Sequence, residues 1–200
     1  MHHLLSIYFK HKIIMKKTLF LLVIAAMCCV SYLSAQNSVP KNYQKKYTPT
    51  SLEKWVDNQY IDKGIISNMD WLEYQYWLEK VFGKESKEYK AAMPNKKTLY
   101  QQLPDKVAKV YADNPAYRHQ PVIGISTKQA LAYCRWRTDR VAERMLIKMK
   151  LLKYNPEQTK DDYFTLDKYQ APEGLQFLRF SLPTAVCETR YGFRCVAEWK

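Results

Sequence analysis

Glycine and histidine are scarce in this chain, and their scarcity excludes more chemistry than any motif suggests. Five glycines in 200 residues leave no glycine-rich loop to cradle a phosphate. Of four histidines, only His119 lies beyond the N-terminal segment. That excludes a multi-histidine metal site and leaves a Ser-His-Asp arrangement a single candidate base. Set between Arg118 and Gln120, His119 reads as a loop residue. Acids are also in the minority, 19 against 32 Lys and Arg, for a formal net charge of +13. Asp161, Asp162 and Asp167 lack the alternation and closing glutamate of a calcium-binding EF-hand loop and read as solvated acids. No repeat or low-complexity tract is present. No metal and no cofactor is expected.

What is there begins with a leader. Met15-Lys16-Lys17 forms a basic start, Thr18 to Val30 an apolar run, and Ser31-Tyr32-Leu33-Ser34-Ala35 a small-residue cleavage region. This pattern predicts a signal peptide over residues 1–35, with Met15 as the better start, and an exported protein, periplasmic or associated with the outer membrane. The apolar run is short for a membrane span. Met27 before Cys28, and Cys28 before Cys29, fit a lipid-anchor signal poorly, so these cysteines read as small hydrophobes. The leader holds four lysines and no acid, so 32 basic residues fall to 28 against 19 acids, a net +9. Such a balance could mean nucleic acid, anionic lipid or an acidic glycan, and export makes nucleic acid the least expected of these. Lys41, Lys45 and Lys46 read as solvated. Three cysteines remain, Cys134, Cys187 and Cys195. In an oxidising compartment that means one pair and one leftover.

Residues 36–60 read as a polar arm, with Pro40 and Pro49 near its start, and 61–200 as the domain. Order is expected from Ile65-Ile66, a strand-like pair. Ser67 caps a helix from Met69 to Phe82, with Asp70 returning the hydrogen bond. Trp71, Tyr74, Leu78 and Val81 recur at helical steps with Trp77 beside them. This spacing favours core packing over a surface for stacking on sugars. Gly83 ends the helix. Short helical pieces are predicted around 84–92 and 103–111. Val122 to Ile125 reads as a strand. Ser126 and Gln129 form a second capping box, opening a helix that carries Ala130, Leu131, Cys134 and Val141 inward and runs to Leu152 before Asn155-Pro156. Residues 157–176 read as loop, with strands at 177–182 and 191–198.

Four pieces, in order, carry a family resemblance. Pro121-Val122-Ile123-Gly124-Ile125-Ser126 with Ala130, Ala132-Tyr133-Cys134 and Trp136 resembles the core signature of sulfatase-modifying-factor domains, the formylglycine-generating-enzyme-like proteins. Ile66-Ser67-Asn68 before an aromatic helix, Arg179 to Thr184, and Gly192-Phe193-Arg194-Cys195 resemble three further segments of that family. The resemblance spans residues 60–199. It implies an irregular α+β, C-type-lectin-like fold and a disulfide between Cys134 and Cys195. In the chain-entropy model, closing a loop of about 60 residues stabilises by roughly 4 kcal/mol. Arg135 to Val141, leading into a long helix and Lys153-Tyr154-Asn155-Pro156, is similar to an insertion in the gliding-motility lipoproteins of type IX secretion in Bacteroidetes.

The departures from the family pattern matter as much. Family enzymes bind copper through two cysteines placed five and ten residues before the terminal-strand cysteine. Those positions are Arg190 and Ala185 here. The segment that supplies the family's calcium sites and much of its groove shrinks to Ala185–Tyr191. The resemblance therefore implies a scaffold without the enzymatic part, acting through an envelope or secretion-system protein partner. Cys187, beside Glu188 and near Arg190, is the one weak catalytic candidate. A divergent enzyme using Cys187 or a metal, and a glycan-binding module using exposed Trp71 or Trp77, are the alternatives.

Overall fold

The structure, a computed structural model, describes residues 39–183 and 191–200. Helix α1 spans Tyr43–Tyr47 and precedes strands β1 (Leu52–Lys54) and β2 (Gln59–Asp62). Helices α2 (Asn68–Phe82), α3 (Lys87–Ala91), α4 (Lys96–Gln102), α5 (Asp105–Ala108) and α6 (Thr127–Lys148) follow, then strands β3 (Leu178–Ser181) and β4 (Val196–Trp199). The strands form one antiparallel sheet in the order β1-β2-β4-β3. Helices segregated from a small antiparallel sheet make this an α+β protein. Among the described residues, no helix is long and apolar enough to cross a membrane.

The two principal helices start where local chemistry places them. Ser67 Oγ accepts from the Asp70 N–H at 3.2 Å, and Asp70 Oδ2 accepts from the Ser67 N–H at 2.8 Å. Ser126 and Gln129 repeat this exchange at the head of α6. Each reciprocal pair satisfies N–H groups that the helix leaves without partners. The far end of α6 behaves differently from expectation. No proline or glycine stops it; Lys150 turns left-handed at φ 61°. The Leu151 N–H then bonds to the Leu146 carbonyl and the Lys150 N–H to the Ile147 carbonyl. These are the two bonds of a Schellman cap, so the helix ends four residues before Leu152.

Trp71, Tyr74, Leu78 and Val81 on α2 face Ala130, Tyr133 and Cys134 on α6, and all belong to the buried core. Leu131 was expected there but is 39% exposed; it lies about 100° around the helix from buried Ala130. Strand β3 alternates buried Leu178 and Phe180 with exposed Arg179 and Ser181, laying one face on the helices. The α6–β3 contact is pinned by Thr138, whose hydroxyl donates to the Cys134 carbonyl at 3.0 Å and accepts from the Phe180 N–H at 2.9 Å.

Order begins earlier than Ile65. The β1–β2 hairpin begins inside the segment expected as a polar arm and runs two residues past its end; its short, charged strands carry too little alternation to be read. Conversely, Val122–Ile125 is buried but is not a strand of the sheet. Its polar groups are satisfied singly: the Val122 N–H by the Ile66 carbonyl, and the Gly124 carbonyl by the Asn95 N–H. Ile65-Ile66 likewise stays outside the sheet, with the Ile66 N–H bonded to the Phe193 carbonyl. The Ile65 and Pro121–Val122 segments meet at Gly192, at φ 104°. A Cβ there would stand 2.6 Å from Ile65 Cγ2 and 3.1 Å from Pro121 Cβ, so only glycine fits.

Candidate functional site

The two cysteines of the resemblance meet in the core. Cys134 lies on α6 and Cys195 just before β4; they are 1% and 0% exposed, with sulfurs 3.3 Å apart. This is the contact of two thiols, since a disulfide would bring the sulfurs to about 2.05 Å. The hydrogen bond with Cys134, followed by burial and the negative charge that Cys134 would carry, raises the Cys195 thiol well above its ordinary value. It is also closed off from solvent.

Beside the thiols lies a buried ion pair. Arg137 Nη1 and Nη2 donate to the two Asp62 carboxylate oxygens, both at 2.7 Å. The Cys195 N–H donates to the same carboxylate at 2.8 Å, and the Asp62 N–H returns a bond to the Cys195 carbonyl at 3.0 Å. The guanidinium also lies 4.3 Å from the centre of the Phe180 ring. Burial alone would lower the Arg137 pKa. The Asp62 hydrogen bonds and charge outweigh it and raise it further. One carboxylate thus joins β2, α6 and the approach to β4.

The aromatic stripe is core. Trp71 is 1% exposed, stacks on Tyr133 with centroids 5.5 Å apart, and meets Tyr74 and Phe193 edge-on. Its indole N–H donates to the Ala92 carbonyl at 2.9 Å. Trp77 is half-buried, covered by Phe82 and Tyr163 and by the Arg140 guanidinium, 4.6 Å from its ring. Neither indole presents the open face that sugar stacking needs, so the glycan alternative loses the residues it rested on.

Burial pushes the Tyr74 phenol up to about 12, against the opposing effect of Arg135. Burial raises Tyr133 further. Both phenols stay protonated in the fold above the ordinary 10.0 of an unfolded tyrosine. Stability from this source is therefore complete below pH 10 and lost as pH rises through the folded values. An alkaline titration followed at 295 nm will show these two tyrosines ionising only with loss of the circular dichroism signal. Ionisation of every tyrosine near pH 10 with the fold intact would contradict this burial.

One face of α6 opens on a cleft of about 540 Å3. Tyr133, Trp136, Arg137, Arg140, Arg144 and Lys148 line one wall. Asp70 and Glu73 of α2, together with residues 46–51, line the others. Arg140 is engaged by Glu143 at 2.7 Å, by Gln158 and by the Phe164 carbonyl. Asp70 is engaged by its cap. Burial, and then the charge of Asp70, raises the Glu73 carboxyl above the usual range.

The remaining expected site residues fall apart. Cys187, Ala185 and Arg190 lie outside the described residues, as does the leader with Met15, Cys28 and Cys29. His119 is exposed and far in sequence from any acid–base pair described above. Asp162 caps a turn, accepting from the Thr159 N–H and hydroxyl at 2.7 and 2.8 Å, while Asp167 lies 3.5 Å from Arg179. Among the described residues, no cluster of His, Cys, Asp or Glu can hold a metal ion. Asp62, 75 residues from its partner Arg137, carries no local signal of its role. The basic row on α6 carried a signal in its three- and four-residue spacing. No family model matches the chain, and no curated protein or solved structure is similar to it.

Proposed function

We propose that this chain is an exported, non-catalytic binding or scaffold component of the cell envelope, built on a shortened sulfatase-modifying-factor-like domain. Its partner is an envelope or secretion-system protein, in an assembly of the gliding-motility or type IX secretion kind, whose lipoproteins carry an insertion similar to the one here. The observation that carries this reading is the sealed state of the polar core. The two cysteines are buried against each other, and Asp62, also buried, is taken up by Arg137 and the Cys195 N–H. The same placement lets export oxidise Cys134 and Cys195 into a staple without creating a reactive centre. The decisive assay incubates the exported protein with copper, dioxygen and a cysteine-containing sulfatase peptide, read by mass spectrometry. The peptide will be recovered unchanged. Conversion to formylglycine that disappears in Cys187→Ser would replace the scaffold reading with the divergent enzyme.

A further inference from the structure

The cleft on α6 is built like a binding site, and the envelope reading does not account for it. Arg137, Arg140, Arg144 and Lys148 follow one another at three- and four-residue steps along the same helical face. The first two are neutralised by Asp62 and Glu143. Arg144 and Lys148 are exposed and have no partner among the described residues. Four residues separate them, which places their backbone positions about 6 Å apart along the axis. Exposed Lys46 faces the same cavity from another wall.

A second observation points inward. Trp136 lines this cleft, and its indole N–H is buried with no hydrogen-bond partner among the described residues; the Arg140 Nε–H, also at the cleft, is in the same state. The Trp71 indole N–H, by contrast, is satisfied. An unpaired buried N–H costs free energy unless something supplies an acceptor. Cations at the rim and a donor at the floor demand an acceptor-rich anion. The volume falls within the range of small-molecule sites, about 300–1,000 Å3.

We propose that this cleft binds a small organic molecule carrying phosphate or sulfate esters, with Arg144 and Lys148 on the anionic groups and the Trp136 indole N–H on an oxygen of its body. Tetrahedral oxyanions suit the site because they present several acceptors to cations arriving from different walls. Glu73 is the opposing charge: it lies at the cleft and repels the ligand.

The test is calorimetric titration of the full exported chain with a hexose bisphosphate, inorganic phosphate and inorganic sulfate at constant ionic strength. Saturable binding is expected, tightest for the bisphosphate. Arg144→Gln and Lys148→Gln will each weaken it about tenfold or more. Trp136→Phe, which removes the indole N–H, will weaken it several-fold. Glu73→Gln will tighten it a few-fold. Lys128→Gln, an exposed charge on the first turn of α6 and not in the cleft lining, will leave it unchanged. Preference for phosphate over sulfate, or the reverse, identifies which ester the site takes. No saturable binding would overturn the proposal. So would equal losses in Lys128→Gln and Arg144→Gln, or weaker binding in Glu73→Gln.

Discussion

Asp62→Ala will destabilise the protein by about 3–5 kcal/mol, the usual cost of removing one partner from a buried ion pair. The change strips Arg137, whose side chain is 14% exposed, of a two-pronged carboxylate. It also takes the acceptor from the Cys195 N–H. Two buried groups are orphaned at once, and the guanidinium cannot shed its charge at any accessible pH. Urea denaturation reads the loss directly as a fall in the midpoint at constant slope. The double variant Asp62→Ala, Arg137→Met will recover a substantial part of it, because the penalty comes from the uncompensated charge rather than from an absent attraction. A double variant no more stable than Asp62→Ala would show that the carboxylate matters for packing alone.

Trp71→Ala will cost at least as much, about 3–5 kcal/mol from the lost burial and the cavity left behind. The indole touches Tyr74, Tyr133 and Phe193, so its removal opens the junction of α2, α6 and the C-terminal segment. Against a typical domain stability of about 5–15 kcal/mol, either substitution removes a large share. Trp71→Phe will be milder, about 1–2 kcal/mol. The Ala92 carbonyl keeps its second donor, Gln75 Nε2, at 3.1 Å. Near-equal losses for Trp71→Phe and Trp71→Ala would mean that the N–H, not the ring volume, holds this junction.

What the sequence discloses about this fold is what neighbouring residues decide. Ser67 with Asp70, and Ser126 with Gln129, are three residues apart, and both capping boxes form as their spacing predicts. The aromatic stripe of α2 also turns inward as its period requires. Misreadings arise where one pattern serves two structures. A short apolar run such as Val122–Ile125 looks the same whether it pairs in a sheet or threads the core with isolated hydrogen bonds. Lys150 ends α6 in a left-handed turn that no residue type announces, since lysine there carries a cost that tertiary packing overrides. The Asp62–Arg137 pair and the cleft depend on residues far apart in the chain. Neither Asp62 nor the cleft-lining Glu73 carries any local sign of its role.

The cysteine pair stands between these cases. The family resemblance, not spacing, joins Cys134 to Cys195, and the fold brings their sulfurs to 3.3 Å. In the proposed scaffold these cysteines hold the domain together and take no part in catalysis. Non-reducing peptide mapping of the protein recovered from the cell envelope tests this most directly. One Cys134–Cys195 disulfide is expected, with Cys187 in neither half of it. A peptide joining Cys187 to Cys134 or to Cys195 would contradict it.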